Sequence, residues 1–292
     1  MDRLLSQLIN GLHVGSVYAL IALGYTMVYG IVRLINFAHG DIIMVGAYAA
    51  LMLFTWTRIP FVVVVILTAV ICMLLGVTIE RIAYKPLRTS PRISSLITTI
   101  GVSFFLQNSI QLAFSPTPRP FPVRLALPAL TLGRLRVGGL TFVTILVAVA
   151  LMILLDLFVR RTKMGKAMRA VSEDISAAQL MGININTTIS LTFAIGAGLA
   201  AVGAVLYSTA YPTVSPTMGA LPGLKAFIAA VLGGIGILPG AMLGGFIMGV
   251  AESLTKGYVS TQLADAVVFG ILILVLLFKP SGLLGRHVSE KV

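Results

Sequence analysis

The residues of this chain that are able to do chemistry are few and scattered. Its three histidines, His13, His39 and His287, stand far apart, and none falls in an HExxH or other metal-binding spacing. The single cysteine, Cys72, lies inside an apolar run, which excludes a CxxC metal site and an intrachain disulfide and leaves a small buried hydrophobe. No GxSxG elbow and no Walker A sequence occurs, so the chain has neither an evident nucleophile nor a phosphate-cradling loop. No catalytic residue, no metal and no cofactor is expected.

Four other groups of polar residues sit within or beside apolar runs, where each needs a partner or a purpose. Glu252 and Lys256 stand four apart on one helical face and are spaced to pair. Asp265 lies about 20 Å from the inner end of the last apolar run at 1.5 Å per residue, with Lys225 or Lys256 as its expected partner. A structural role follows, in which Asp265 holds a broken segment against the final helix; a proton relay is the alternative. The stretch Asn36-Phe37-Ala38-His39-Gly40-Asp41 is either a helix cap or a path-lining break whose free amides meet a solute's charged ends. Ser103, Gln107 and Asn108 either line the same path or bind helices together.

These residues are carried by a chain built for lipid. Of its 292 residues 58% are apolar and 10% charged, against roughly 25% charged in a soluble domain, so a water-facing globule is excluded. The net charge of +12 comes from basic residues in short segments between apolar runs; this is the pattern of positive-inside topology, not of nucleic-acid binding. A helix needs about 20 apolar residues to cross. Runs of that kind cover Leu4 to Ile31, Phe37 to Trp56, Phe61 to Ile79, Ile93 to Phe114, Leu140 to Val159, Ile183 to Tyr211 and Tyr258 to Phe278. The N-terminal run reads as the first span, not as a removed signal peptide.

Leu221 to Ala251 is interrupted by Gly233-Gly234-Ile235-Gly236 and by Pro239-Gly240. Each piece alone looks short for a crossing, which predicts a helix–break–helix hairpin. Broken backbone at membrane depth must be buried in protein or line a watery cavity, so Gly233, Gly234, Gly236 and Pro239 are candidate path residues. The expected fold is all-α, a polytopic integral membrane bundle of about eight spans, up to ten, with broken or re-entrant helices in a single domain over 1–292.

Segments 80–92 and 160–169 together hold nine Lys or Arg, whereas the longer loop 115–139 between them holds only Arg119, Arg124, Arg134 and Arg136. The positive-inside rule therefore puts the first two in the cytoplasm and 115–139 outside. The N-terminus falls outside if the first run crosses once. The loop is rich in proline, and the alternation Arg134-Leu135-Arg136-Val137 predicts a short strand; the loop reads either as an ordered cap or as a docking surface for an external protein. In 160–182, Lys166 to Leu180 is amphipathic, with Ala167, Ala170, Val171, Ala177 and Ala178 on a small-residue face, Arg169, Glu173 and Asp174 on a polar one, and Gly165 and Gly182 as brackets. Such a helix fits a partner's groove. Since the chain has no engine of its own, an ATPase is the expected partner; an ion-coupled carrier of small amphipathic solutes is the alternative.

The blocks Gly11 to Ala50, Ala83-Tyr84-Lys85-Pro86-Leu87-Arg88, LITTIGVSFFLQN at 96–108, the 165–182 segment, GLKAFIAAVLGGIG at 223–236 and ADAVVFGILILVLLFKPSGLLG at 264–285 closely resemble the permeases of high-affinity branched-chain amino acid ABC importers, in particular the shorter, LivH-type subunit. The resemblance runs nearly end to end. It implies a bacterial inner-membrane importer with a second, related permease, two cytoplasmic ATPases and a periplasmic binding protein that delivers leucine, isoleucine or valine. It places the ATPase-coupling region on Gly165 to Gly182, including Ala170, Glu173, Ala177 and Gly182. Ile237 departs from the pattern, which leads one to expect a small polar residue after Gly236.

Overall fold

The computed structural model describes residues 2–57, 59–88, 90–122, 128, 130–132 and 135–285. Their backbone is almost wholly helical: α1 (Asp2–Val32), α2 (His39–Trp56), α3 (Phe61–Ile79), α4 (Arg92–Phe114), α5 (Gly139–Arg161), α6 (Lys163–Glu173), α7 (Ile175–Leu180), α8 (Ile185–Ala210), α9 (Ala220–Gly233), α10 (Leu238–Tyr258) and α11 (Ala264–Phe278). In lipid only such closed hydrogen bonding is tolerated, because no water serves exposed amides. Seven helices among the described residues are long and apolar enough to cross, and α9 and α11 are shorter apolar helices.

Burial divides the helices into two shells. In the most apolar stretch of α1, 83% of residues are buried, and of α8, 78%; in α4 and α5 the share is 17%. An inner group of α1, α2, α8, α9 and α10 thus forms the core, while α3, α4 and α5 turn apolar faces such as Leu74, Leu112 and Leu146 outward. Small residues let the inner helices touch backbone to backbone, the packing expected where lipid removes the hydrophobic drive. On α1 and α10 a side chain at Gly249 would run into the backbone of Gly15.

The basic segments 80–92 and 160–182 share one end of the bundle, called the basic face below. Four short strands decorate the opposite end. β1 (Arg119–Pro120) pairs antiparallel with β4 (Thr213–Val214), and β2 (Leu130–Leu132) with β3 (Leu135–Val137). β3 lies within the expected Arg134–Val137 strand; Arg124 and Arg134 themselves fall outside the described residues, as do Arg58 and His287.

Three element boundaries differ from expectation. The single amphipathic helix at 166–180 is two helices, because Asp174 leaves helical geometry and caps α7 through its side chain, accepting from Ala177 N at 2.9 Å. The last helix begins at Ala264 and not at Tyr258, which ends α10; the polar Ser260, Thr261 and Gln262 lie in the turn between them. Of the interrupted 221–251 segment, α10 is long enough to cross alone. Only α9, 14 residues or about 21 Å, is short.

Candidate translocation cleft and coupling surface

Two helices start inside the bundle. After α1, Arg33 takes a positive φ of 54° and residues 33–36 run back without helix. His39, at the start of α2, then packs against Gly24, eight residues or about 12 Å outward of the inner end of α1. α9 starts after a chain that enters from the strand end, and its first turns meet α2 directly: side chains at Gly219 or Gly223 would collide with the backbone of Gly40. The pair Gly219-x-x-x-Gly223 is the small-xxx-small spacing that allows such an approach. Two helix N-termini, each the positive end of its helix dipole, therefore converge, with His39 N and Asp41 N held by Asn36 O and Ala38 O and Ala220 N held by Thr217 O.

A cleft of about 300 Å³ opens beside this crossing, lined by Tyr25, Phe37, Gly40 and Asp41, by Ile100, Ser103, Phe104 and Gln107 of α4, and by Gly223, Leu224 and Phe227 of α9. Asp41 is 2% exposed. Gln107 Nε2 donates to its Oδ1 at 2.9 Å and lies 3.3 Å from Ser103 Oγ. Among the described residues no cation forms a salt bridge with Asp41. A buried carboxylate answered by neutral donors and by the positive end of its own helix is further stabilised by a visiting cation or a proton. Apolar walls surround it, and Phe104 of α4 stays 60% exposed, so one flank is open.

The candidate path residues therefore separate. Gly40, Ser103 and Gln107 line the cleft. Asn36 and His39 are buried behind it, with no side-chain cap on α2; neither amide atom of Asn36 has a hydrogen-bond partner. Asn108 points away, exposed and bonded to Phe104 O at 2.7 Å, because it is one residue off the face shared by Ser103 and Gln107. Gly233, Gly234, Gly236 and Pro239 do not meet the cleft. They form the turn at the basic face, where Gly234 (φ 105°) and Gly236 (φ 93°) adopt conformations open to glycine. There Leu283 N and Leu284 N donate to Leu232 O and Gly233 O at 2.8 and 3.1 Å, satisfying carbonyls left at the end of α9. Tyr25, Leu224 and Phe227 lie outside the expected path residues; the Gly219–Gly223 spacing is the available signal.

A chain of charges ties α9 to its neighbours. Lys225 Nζ lies 2.6 Å from Asp265 Oδ1 on α11 and 3.0 Å from Glu252 Oε1 on α10. Lys256 Nζ reaches the same Glu252 oxygen at 2.5 Å, and Tyr18 of α1 donates to Oε2 at 2.8 Å. Two cations face two carboxylates, so the set is neutral.

In the coupling segment part of the small face is turned to the chain itself, at Val171 and Ala178, while Ala177 is exposed. Gly165, Met168, Val171 and Ala178 are buried, and Gly165 lies so close to Phe158 O and Val159 O that no side chain fits. Ala170 is half-buried. Glu173, Asp174, Ala177 and Gly182 are exposed, together with Ile175, Leu180 and Met181, the last two 89% and 83% exposed. Large apolar side chains on a water-facing end mark a contact surface.

A lipid-spanning bundle with a polar-edged internal cleft and an apolar knob at its basic end defines a multi-pass membrane permease. Residues 7–276 match the family described as branched-chain amino acid transport system / permease component, and the chain belongs to that family. It is 46% identical to the high-affinity branched-chain amino acid transport system permease protein BraD of Pseudomonas aeruginosa, over 99% of this chain and 98% of that protein. It is 44% identical to the corresponding protein LivH of Escherichia coli, over 99% and 97%. The probable branched-chain amino acid transport permease protein LivH of Methanocaldococcus jannaschii is 30% identical over 91% of this chain and 88% of its own length.

Proposed function

We propose that the chain is a membrane-spanning subunit of an ATP-driven importer of branched-chain amino acids in a bacterial inner membrane. The basic face lies in the cytoplasm, and the cleft is this subunit's share of the passage. An amino acid carries an ammonium, a carboxylate and, in this class, a branched aliphatic side chain. Asp41 suits the first, the converging N-termini of α2 and α9 suit the second, and Ile100, Phe104, Leu224 and Phe227 suit the third. The observation that carries this reading is Asp41, buried at the cleft with only neutral partners.

The cleft is open on its α4 flank, which fits closure by a second, related permease. The absence of a Walker A sequence calls for separate ATPases, and the exposed Ile175, Leu180 and Met181 beside Glu173 offer them a grip. A periplasmic binding protein would dock at the strand end and supply the specificity, since weak contacts in the cleft favour release. The charged residues of α9, α10 and α11 pair with one another, which disfavours an ion-coupled carrier.

The test is Asp41→Asn in the importer assembled with its partner subunits in proteoliposomes. Losing a charge-assisted contact worth about 1.5–3 kcal/mol lowers leucine uptake roughly 10- to 100-fold, while the amount of assembled complex stays unchanged. Uptake at the parent rate would refute the role of the cleft. Uptake that survives ATP depletion with the membrane potential held would refute the ATP-driven reading.

A further inference from the structure

A cavity of about 460 Å³ lies between the basic ends of α3 and α8 and takes no part in the cleft. Here α3 continues as a wide π turn over Glu80–Tyr84, in which Lys85 N bonds back to Glu80 O. Such insertions re-aim side chains, and this one sends Arg81 and Lys85 into one cavity. Neither cation forms a salt bridge among the described residues. The nearest carboxylate, Glu80, is fully buried and already engaged by Arg88 and by Ser190 Oγ, the latter at 2.6 Å. The facing wall is the first two turns of α8, where Asn186 and Thr187 lie at the positive end of a 26-residue helix.

Among the described residues the cavity thus presents two cations without an ion pair beside the start of α8, whose Thr187 amide is capped by Asn184 and whose Asn186 and Ser190 side chains are engaged by Arg88 and Glu80. Its remaining wall is apolar, with Val77, Leu191 and Ala194, and beyond it α3 turns an apolar face outward, with Leu74 64% exposed and Val70 45% exposed. An anionic head with an apolar body matches this shape. A small free anion would leave the apolar part unused.

We propose that this cavity binds the phosphate headgroup of an anionic phospholipid of the cytoplasmic leaflet, with its acyl chains laid along the exposed apolar face of α3. Basic pockets between transmembrane helices on that side suit such heads, each nearby cation adding about a fivefold gain in binding. The inference rests on the basic face being cytoplasmic, and it stands whether or not the cleft carries amino acids.

The test is native mass spectrometry of the assembled importer in detergent, titrated with phosphatidylglycerol, with phosphatidylcholine and with inorganic phosphate. The parent complex is expected to retain phosphatidylglycerol selectively, R81A/K85A to bind it roughly 30-fold more weakly, and R81K/K85R to keep it. Equal retention by R81A/K85A, equal retention of phosphatidylcholine, or displacement of the lipid by millimolar phosphate would each overturn the proposal. So would protection of Lys85 from amine labelling by bound ATPase subunits in lipid-stripped complex, because the cavity would then be a protein contact.

Discussion

Replacing Lys225 by methionine shortens the side chain by one atom and removes a charge that joins α9, α10 and α11. The cation sits 3.0 Å from Glu252 and 2.6 Å from Asp265 and is 6% exposed. Removing one partner of a buried pair costs about 3–5 kcal/mol. Two features lower that figure here. Glu252 keeps Lys256 at 2.5 Å and Tyr18 at 2.8 Å, and the Asp265 side chain is 46% exposed, so part of its charge is screened. The expected loss is about 2–3 kcal/mol, read as a shift in the denaturant midpoint of the purified permease in micelles. Asp265→Asn alone leaves Lys225 with Glu252 and should cost about 1 kcal/mol. The double variant K225M/D265N removes both members of one pair, so it should be less damaging than the sum by about 1–2 kcal/mol, a coupling expected only of groups in contact. If the two effects simply added, or if K225M matched the parent, the clamp would not hold α9 as argued.

Three further perturbations bear on other parts of the molecule. Leu180→Glu should weaken ATPase binding to the permease by about 2 kcal/mol, roughly 30-fold in pull-down affinity, if Leu180 is a central anchor; Glu173→Lys should also impair coupling while insertion into the membrane stays intact, and normal ATPase recovery with both would refute docking at this segment. Gly249→Val places branched carbons where the built Cβ already lies 2.2 Å from Gly15 N, so it should lose more than the 1–3 kcal/mol of ordinary overpacking and show reduced folded yield in a fluorescence size-exclusion assay; parent-like yield would contradict the close α1–α10 crossing. In a Cys72→Ala background, Leu4→Cys should react with an impermeant thiol reagent added outside and Met181→Cys only after the membrane is opened. The reverse pattern would invert the topology.

Much of the frame is legible in local sequence. The apolar run Phe61 to Ile79 coincides with α3, since nothing inside it can leave lipid. Glycines at 233, 234 and 236 mark a true break, and Asp265 finds Lys225 because a carboxylate within an apolar run has few cations in reach. What escaped is of two kinds. Some local signals were overridden by a longer pattern: Asp174 is a good N-cap residue, yet alanine periodicity continues across it and hides the split into α6 and α7. Likewise Asn108 shares a run with Ser103 and Gln107 but not their face. The remainder is tertiary. That Gly40 meets Gly219 and Gly223 depends on two chain segments far apart, and no local propensity encodes it. The small face of the coupling segment is divided, with Val171 and Ala178 buried against the chain itself and Ala177 exposed.

That burial links the basic end to the cleft. Arg33 donates to Ser172 O at 3.1 Å, and Met168, Arg169 and Ser172 of α6 border one small void with Gly30 of α1 and with Gly236 and Leu238 at the turn before α10. α6 therefore packs on the basic-face end of α1 and shares a small void with the end of the α9–α10 hairpin. From the first contact, the chain runs through Arg33 and the non-helical 33–36 stretch to Gly40. From the second, it runs back along the rigid turns of α9 to Gly223. Both routes finish at the same helix crossing, where the backbones leave no room for a side chain. Packed contacts of this density transmit displacement instead of absorbing it. A push on α6 would consequently reach the start of α2 through α1 and the 33–36 stretch. The α9 route must pass Lys225, two residues from Gly223, so the clamp with Glu252 and Asp265 holds that side of the crossing while the start of α2 is free to shift.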